Sequence, residues 1–374
     1  MTANEDLLRR WPRLRAAWRG GQSADAPLAK AERTRIAQGI ATLSSGLTRE
    51  RALVGERYLG DADLLGAYLL LYWPVSYAQA RSVLNELGPK PLGRVLDLGA
   101  GPMPMSYAAL DAGATHVHAI DRVERALAIG RSLASDAERV STSTWDPERG
   151  DALPAGPFDT IIAGHVFNEL YLDSKTLARR EALVVSLLAR CAAGGRLVII
   201  EPALRETSRA LLTLRDRVTS VGVRVHAPCL VQSACPALVR ETDWCHAERA
   251  WSPPEELVKL AEEAKLHKDR LKFSYLVLSS SAEAPRYADD RFRIVSEQMP
   301  QKGKRIVFGC GPIGRHALVR RDKDATPHNA DFGELERGDL VRAPALEPRG
   351  DGLRVPADQP VVRIARAGDP GEQT

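Results

Sequence analysis

Residues 94–102 read RVLDLGAGP, a short apolar run that ends in an acid and two glycines. Apolar runs of this length are typical of buried strands in a parallel sheet. Gly99 and Gly101 would let a ligand approach the backbone without a Cβ in the way, and the following helix would present unpaired N–H groups. A dinucleotide loop needs a third glycine, and that position holds Pro104. The stretch therefore predicts a first strand and a ligand-binding loop of another kind, with the Asp97 carboxylate near a ligand amino group.

Outward from this stretch, apolar runs alternate with helical patterns. The predicted strands are THVHAID (115–121), FDTIIAGHV (158–166), RLVIIEP (196–202) and LKFSYLVLSS (271–280). The predicted helices are MSYAALDAG (105–113), RVERALAIGRSLA (122–134), SKTLARREALVVSLLARCAAGG (174–195), LRETSRALLTLRDRVTSVG (204–222) and PEELVKLAEEAKLH (254–267). Strands that alternate with helices indicate an α/β fold with a parallel sheet covered on both faces.

The predicted organisation has four parts. Leu and Ala recur at helical spacing in the N-terminal part, where Pro74 interrupts the second helical pattern. The parts are a helical N-terminal region (1–88), an α/β domain (89–285) with a Cys-rich insertion (225–254), a basic β-containing region (286–342) and a tail (343–374). We predict that the tail is mobile because Pro, Gly and charged residues dominate it.

The composition limits the functional classes. The chain of 374 residues carries a net charge of +4 and is 44% hydrophobic, which supports a sizeable core and excludes a globally disordered chain. No apolar run approaches the roughly 18 residues needed to span a bilayer, and the N-terminus lacks the apolar core of a secretory signal. We expect a cytoplasmic protein without a membrane partner. In that reducing compartment, clustered cysteines more often bind metal or do redox chemistry than form disulfides.

A second acid sharpens the prediction for the loop. Asp121 ends the second strand, 22 residues after Gly99, where a carboxylate can accept hydrogen bonds from ribose hydroxyls. With VLDLGAGP at 95–102 and HAIDR at 118–122, the chain resembles the class I S-adenosylmethionine-dependent methyltransferases. The resemblance implies a Rossmann-like sheet and a set of S-adenosylmethionine-binding residues: Asp97, Gly99, Gly101, Asp121 and, after the third strand, Asp146. Because Met103 stands where many members have glycine, we expect an altered pocket.

The motif after strand four carries the chemistry in such enzymes, and here it reads HVFNEL at 165–170. His165, Asn168 and Glu169 are candidate acid, base or orienting groups, although the last two are equally compatible with a pocket wall. The Asn/Asp-Pro-Pro-aromatic run of enzymes that methylate exocyclic base amines is absent from this motif. Cys191, the only cysteine in the core pattern, is predicted on a helix and interpreted as a packing residue rather than a nucleophile.

Three of the five cysteines lie close together in the segment VHAPCLVQSACPALVRETDWCH at 225–246. Cys229, Cys235 and Cys245 are separated by five and nine residues, and Cys310 follows in VFGCGPIG. A zinc finger would show closer pairs. Three interpretations remain open: unrelated buried cysteines, a structural zinc with His226 or His246 as a possible substitute ligand, or an iron–sulfur cluster, which takes four thiolates.

The region 301–323 is strongly basic, with only Asp322 as an acid. Its candidate phosphate-binding residues are Lys302, Lys304, Arg305, Arg315, Arg320 and Arg321. Such a stripe can neutralise RNA phosphates, and it is equally compatible with a solvated surface.

These features together resemble one family. A methyltransferase-like core, the HVFNEL motif, three cysteines after strand five and Cys310 in a basic strand resemble the methyltransferase-like assembly factors of the small ribosomal subunit, known from mitochondria and with bacterial relatives. The resemblance covers about residues 50–325. It implies a [4Fe–4S] cluster held by the four cysteines and binding to small-subunit rRNA.

The sequence leaves two main functions to distinguish. In one, the protein transfers a methyl group from S-adenosylmethionine to rRNA. In the other, it is a catalytically inactive rRNA-binding assembly factor with S-adenosylmethionine as a structural ligand, a role favoured by the missing Pro-Pro motif. A zinc-stapled methyltransferase of another substrate is a third, less favoured interpretation. No sequence feature predicts the oligomeric state.

Overall fold

Two eight-stranded sheets organise the computed structural model, which describes residues 3–22, 25–46, 58–88, 90–134, 137–281 and 286–369. The α-helices are α1 Ala3–Trp18, α2 Lys30–Ser44, α3 Ala62–Ala67, α4 Trp73–Glu86, α5 Pro104–Asp111, α6 Glu124–Ser132, α7 Thr176–Leu188, α8 Arg205–Ser220 and α9 Glu255–Glu263. The strands of the first sheet are β1 Arg94–Leu98, β2 His116–Asp121, β3 Val140–Thr144, β4 Phe158–Gly164, β5 Cys191–Pro202, β6 Arg224–Ala227, β7 Ala247–Ala250 and β8 Arg270–Ser279. Those of the second sheet are β9 Arg291–Ile294, β10 Met299–Gln301, β11 Lys304–Gly311, β12 Gly314–Arg321, β13 Leu340–Arg342, β14 Glu347–Arg349, β15 Gly352–Arg354 and β16 Val362–Ala365.

The first sheet has the strand order β3-β2-β1-β4-β5-β8-β6. Strands β1 to β5 are parallel, and β8 runs antiparallel to β5. Helices α1 to α6 and α9 cover one face, and α7 and α8 cover the other. This arrangement confirms the predicted α/β fold with a Rossmann-like parallel sheet.

The edge of this sheet next to β8 is formed by two short strands. β6 pairs with the C-terminal half of β8, and β7 pairs with its N-terminal half, both antiparallel. Between them, residues 228–246 leave the sheet edge and return to it. The Cys-rich segment is therefore an excursion from an interrupted edge strand, and the predicted range of 225–254 covers all of β7 and all of β6 except Arg224.

The N-terminal helices pack on the sheet through a shared core in which Leu14, Ile36, Trp73 and Tyr77 are fully or almost fully buried. A π-helical turn, Tyr68–Tyr72, joins α3 to α4. Pro74 lies in the first turn of α4, where its missing N–H is tolerated. The interruption predicted at this proline is thus a change of helix type within an unbroken helical path.

Cys191 lies on a strand, and its predicted helical position is wrong. Helix α7 ends at Leu188, and Cys191 begins β5 opposite Phe158. The Ala-rich sequence continues a helical pattern, but pairing with β4 overrides that local propensity. The side chain packs against the core, in agreement with the predicted packing role.

The second sheet encloses its own core and has the strand order β14-β15-β12-β11-β9-β13-β16. Phe292, Val307 and Phe332 are completely buried inside it. The chain beyond residue 343 differs from the predicted mobile tail, because it supplies β14, β15 and β16 and buries Val355 and Val361. In this part of the chain, prolines and charged residues separate the few apolar residues, so the composition did not predict the strands. Residues 370–374 lie outside the described part of the chain.

Candidate functional site

The glycine loop joins β1 to α5 at the C-terminal edge of the first sheet. Gly99 and Gly101 have φ angles of +66° and +52°, in the left-handed region that favours glycine. A Cβ at Gly99 would lie 2.5 Å from Cγ2 of Val166, so the backbone there admits no side chain. The Ala100 N–H donates to the carbonyl of Ile120 at 2.9 Å, which ties the loop to β2.

Asp97 lies at the end of β1, beneath the loop, and is completely buried. Its Oδ2 accepts a hydrogen bond from Ser106 Oγ at 2.5 Å, while Oδ1 has no partner within the described residues. Burial raises the pKa of Asp97 to about 7. A buried acceptor without a partner is costly, and a donor group on a ligand would relieve that cost.

Asp121 and Asp146 follow β2 and β3 on the same edge of the sheet. Asp121 accepts the N–H groups of Gly101 and Val123, each at 2.8 Å, and burial raises its pKa. A carboxylate offers about four acceptor positions, so this residue retains capacity for a ligand hydroxyl. Asp146 accepts a hydrogen bond from the Glu148 N–H at 3.0 Å. The N–H of the preceding residue, Trp145, donates to the carbonyl of Asp121. The structure thus brings these two predicted binding residues together.

Met103 adopts a left-handed conformation with φ of 67° at the N-terminal cap of α5. Its side chain is completely buried, and its Sδ would lie 2.4 Å from a Cβ at Gly130 on α6. The methionine that replaces glycine in this loop therefore packs into a notch in α6. The structure shows a left-handed backbone conformation at Met103, and the altered pocket expected there stays a prediction.

The turn after β4 contacts the glycine loop directly, through Val166 and Gly99. His165 has a φ of 59°, and its Nε2 donates to Gln79 Oε1 on α4 at 2.9 Å. Burial lowers the pKa of His165 to about 4, so the ring is neutral near pH 7, and its Nδ1 is buried without a partner in the described residues. Asn168 Nδ2 donates to the carbonyl of His165 at 3.0 Å, which stabilises the turn.

Glu201 is a site residue that the sequence analysis did not identify. It lies on β5, is 1% exposed, and its Oε1 accepts the Phe167 N–H at 2.9 Å. The Asn168 side chain also donates to it, and burial raises its pKa to about 7. Its position at the end of the apolar run RLVIIEP was the available signal, since the ends of parallel strands meet at one edge. Glu169, the third predicted candidate, is half-buried beside this turn.

The N-terminal helices fix the loop from the other side. Trp73 Nε1 donates to the carbonyl of Pro102 at 2.8 Å, and the Tyr68 hydroxyl lies 3.6 Å from a Cβ position on Gly101. Arg10 on α1 makes two hydrogen bonds to Asp111 at the end of α5. The helical region is thus part of the wall around the candidate cofactor site.

A separate site lies where the two sheets meet. The four cysteines predicted as ligands line one cavity of about 60 Å³, and none of them forms a disulfide. Cys229, Cys235 and Cys245 come from the excursion 228–246, and Cys310 comes from β11. His246 also lines this cavity, whereas His226 bonds to Ser279 outside it. Across the described residues, no group of three or more His, Cys, Asp or Glu side chains is arranged so that it could hold a metal ion.

Arginines hold the excursion in place. Arg215 on α8 donates to the carbonyls of Val231 and Ser233, and Asp216 accepts the Cys235 N–H at 2.9 Å. From the second sheet, Arg293 donates to the carbonyl of Pro228 at 3.3 Å, and Arg315 pairs with Asp243. The excursion therefore connects the two sheets through polar contacts around the cavity.

Burial dominates the chemistry of these thiols. It raises the pKa of Cys235 to about 11 and that of Cys245 to about 12, and neighbouring thiols raise both pKa values further. The pKa values of Cys229 and Cys310 are also raised by burial. Arg215 and Arg315 act in the opposite direction, on Cys235 and Cys245 respectively.

The model of a protein family described as mitochondrial small ribosomal subunit Rsm22 matches residues 64–324, which is more than half of the chain. The chain belongs to this family. The matched range runs from α3 to the end of β12 and includes the glycine loop, the strand-four turn and all four cavity cysteines. No curated protein matches this Rsm22-family chain significantly.

Solved methyltransferases resemble the Rsm22-family chain only distantly. A Mesorhizobium loti S-adenosylmethionine-dependent methyltransferase is 18% identical, with 55% of this chain and 97% of that chain covered and a TM-score of 0.34. A Bradyrhizobium japonicum N-methyltransferase, solved with S-adenosyl-L-homocysteine, is 13% identical over 54% and 85%, with a TM-score of 0.36. The ribosomal protein L11 methylase of Lactobacillus delbrueckii is 14% identical over 54% and 78%, with a TM-score of 0.32. At these values, the fold assignment rests on the chain's own strand order.

The basic residues near Cys310 divide into two groups. Arg320 is buried against Phe332 and donates to the Asn329 carbonyl, Arg321 pairs with Asp324, and Arg315 pairs with Asp243. The other predicted RNA-binding residues, Lys302, Lys304 and Arg305, lie at least partly exposed at the far end of β11. Among the described residues, only this second group is both at least partly exposed and free of an internal ion pair, so the predicted stripe is shorter than the sequence indicated.

No helix in the described part of the chain is both long enough and apolar enough to span a membrane.

Proposed function

We propose that this Rsm22-family protein binds S-adenosylmethionine, carries a thiolate-bound [4Fe–4S] cluster and acts on the small ribosomal subunit by binding its rRNA. The observation that carries the proposal is the meeting of four cysteines at one cavity between the methyltransferase-like sheet and the basic second sheet. The family description supplies the small ribosomal subunit as the place of action.

Two features support S-adenosylmethionine as the ligand of the glycine loop. Gly99 and Gly101 carry no side chains, and the buried Asp97 Oδ1, which has no partner among the described residues, offers an acceptor for the amino group of the methionine part. On this proposal, Asp121 would accept hydrogen bonds from the ribose hydroxyls and Asp146 would lie on the adenine side. Bound S-adenosylmethionine would supply an electrophilic methyl group at this edge of the sheet.

The donor set of the cavity supports a thiophilic group. Its lining contains four cysteines and no Asp or Glu, and Arg293 and Arg315 can offset the negative charge of a thiolate-bound cluster. Cys229, Cys235, Cys245 and Cys310 would hold the cluster, which would join the excursion to β11. Zinc on the same residues is the alternative, and it would require the four thiols to come closer together, since they are not arranged around a single metal ion in the described residues. A metal analysis distinguishes zinc from the cluster.

The strand-four turn favours a binding role over catalysis. Asn168 bonds to His165 and Glu201, and the His165 Nε2–H bonds to Gln79, so two of the three candidate groups already stabilise the turn. Methyl transfer to rRNA is the second candidate function, supported by the methyltransferase-like sheet itself.

Anaerobic purification tests the cluster. We expect a brown protein with stoichiometric iron and sulfide, because thiolate-to-iron charge transfer absorbs visible light. A colourless protein with stoichiometric zinc would exclude the cluster and leave the zinc alternative.

Mapping rRNA methylation in cells that lack the protein tests catalysis. If one methylated nucleotide disappears from small-subunit rRNA, and an Asp97→Asn variant that is present at normal levels fails to restore it fully, the protein is an rRNA methyltransferase. If every mark persists while small subunits accumulate as precursors, the binding role is correct.

A further inference from the structure

The outer face of the hairpin β11–β12 differs in character from its inner face. Val307 and Leu318 point into the core of the second sheet and are almost fully buried. Successive side chains alternate between the two faces of a strand, so their neighbours point outward. The cross-strand pairs on the outer face are Cys310 with Arg315, Phe308 with Ala317, Ile306 with Val319 and Lys304 with Arg321.

This outer face begins at the cysteine cavity and emerges from it at Phe308. Cys310 and Arg315 line the cavity, whereas Phe308 lies outside both the cavity lining and the core of the second sheet. Phe308, Ile306 and Val319 are each only half-buried. The guanidinium of Arg315 lies 4.9 Å from the centre of the Phe308 ring, which orients the ring through a cation–π contact. An aromatic ring held in this way presents a partly exposed apolar surface.

Positive charge gathers at the other end of the same face. Lys304 lies directly opposite Arg321, and Lys302 follows in the exposed turn between β10 and β11. Like charges directly opposite each other on neighbouring strands are destabilising. Asp324 offsets the charge of Arg321, but neither Lys302 nor Lys304 has an ion-pair partner among the described residues. A bound polyanion would compensate these charges.

We propose that this face is a platform for single-stranded RNA, on which Phe308 stacks against a base while Lys302 and Lys304 contact phosphates. The platform rests on the RNA-binding part of the proposed function and names the surface and the form of RNA. Aromatic side chains beside a positively charged track are the means by which β-barrel proteins hold single strands. Ile306 and Val319 lie between the ring and the lysines, where apolar contact with a neighbouring base or ribose is available.

Double-stranded RNA does not fit this surface equally well. Its bases are stacked on each other, so Phe308 would have no base to stack on, and only the lysines would contribute. The proposal therefore predicts a preference for the single strand that depends on the aromatic ring.

The test uses the full chain and fluorescence anisotropy with an RNA of about 12 nucleotides, a length within the range that single-strand-binding domains cover. Phe308→Leu keeps an apolar side chain but removes the ring, and we expect it to weaken single-strand binding by about 5- to 100-fold. Phe308→Trp keeps a stacking surface and should bind nearly as well as the unaltered protein. Neither change should alter binding of the same RNA in a duplex.

Lys304→Gln provides the charge arm of the experiment. It should weaken binding of both RNA forms and reduce the salt dependence of single-strand affinity by about 0.7 in log–log slope for each lost phosphate contact. Lys30→Gln on α2 removes the same charge from another exposed position and should leave binding unchanged.

The outcomes separate the platform from RNA binding itself. If Phe308→Leu binds normally while Lys304→Gln binds weakly, the protein binds RNA but Phe308 is not a stacking residue. Equal losses in Phe308→Leu and Phe308→Trp would assign the ring a structural role and overturn the platform. If the unaltered protein binds neither RNA form, the RNA-binding part of the proposed function fails with it.

Discussion

Asp97 and Glu201 are buried carboxyl groups at the C-terminal ends of β1 and β5. Each has one oxygen in a hydrogen bond to the protein, and each has another oxygen without a partner in the described residues. Burial raises the pKa of both groups to about 7. Buried carboxyl groups of this kind lower the stability of the folded protein. Their location beside the glycine loop and the strand-four turn is typical of a ligand site.

Replacing Asp97 with Asn should weaken cofactor binding without unfolding the protein. The amide can still accept the Ser106 hydrogen bond, but it lacks the charge that a ligand amino group requires. We expect the affinity for S-adenosyl-L-homocysteine, measured by calorimetry, to fall by about 10-fold or more, since hydrogen bonds to charged groups contribute about 1.5–3 kcal/mol. Asp159→Asn, at the opposite edge of the sheet, is the control. Equal affinities in the two variants would show that Asp97 does not contact the ligand.

Glu201 should make stability depend on pH. The pKa of Glu201 is about 7 in the folded protein, whereas the ordinary value for a glutamate is 4.5. Between pH 4.5 and pH 7, the folded protein therefore keeps a proton that the unfolded chain has lost. This contribution to stability is present below about pH 4 and lost as pH rises to about 7. From pH 5 to pH 8, the free energy of unfolding should therefore fall less in Glu201→Gln, by about 2–3 kcal/mol, than in the unaltered protein.

Urea unfolding at both pH values measures this difference. Glu255→Gln, which alters a side chain that is 82% exposed on α9, should follow the unaltered protein. Parallel behaviour of Glu201→Gln and the unaltered protein would mean that Glu201 titrates normally in the folded state.

At the scale of elements, the glycine loop and the strand-four turn form one unit. Val166 occupies the space beside Gly99, Glu201 holds the turn from β5, and Gln79 holds it from α4. The cofactor site is therefore assembled from elements that lie far apart in the sequence. A change in any one of them should disturb the loop.

Gly99→Ala tests this coupling because two effects coincide there. The alanine would adopt a left-handed φ of +66° and would also meet Val166 at 2.5 Å. Gly113→Ala has a φ of +96° but open space around the new Cβ, so it isolates the backbone effect. We expect a loss of about 1 kcal/mol in the free energy of unfolding for Gly113→Ala and of about 3 kcal/mol for Gly99→Ala. Chemical denaturation measures the free energy of unfolding of both variants. Equal losses would mean that the turn containing Val166 moves away from the new methyl group at little cost.

At the scale of the molecule, the cavity between the sheets joins two units that each have their own core. Three of its cysteines come from the edge of the first sheet and the fourth from β11 of the second. Ion pairs such as Arg315 with Asp243 cross the same boundary. Ligation of a shared group would add a connection whose free energy is also folding free energy.

Cys310→Ser should remove that connection. We expect loss of bound iron and faster amide hydrogen exchange in β11, because β11 would lose its ligand bond to the group shared with the excursion. Cys191→Ser is the matched control, since Cys191 lies on β5 outside the cavity and should leave iron content unchanged. Full iron occupancy in Cys310→Ser would exclude Cys310 as a ligand.

The sequence by itself determined the first sheet and its loop. Apolar runs alternating with helical patterns predicted the order of elements, and the spacing of Asp97, Gly99, Gly101 and Asp121 predicted residues that the structure places at one edge. The predicted sheet and its glycine turn are confirmed because buried parallel strands and such turns depend on local composition and short-range geometry. The binding roles of these four residues stay a prediction. Residue types and spacing left three interpretations of the cysteines open, and the family resemblance implied the set of four that the structure places at one cavity.

Only the tertiary structure decided what depends on pairing between distant segments. Cys191 became a strand residue through β4, the residues after 343 became strands through contacts with the second sheet, and Arg320 was buried beneath Phe332. Glu201 gained its role from a turn more than 30 residues earlier in the chain. Burial and cross-strand neighbours depend on how distant segments pack in the folded protein. The order of residues alone does not specify which charged side chain will face solvent and which will face a partner.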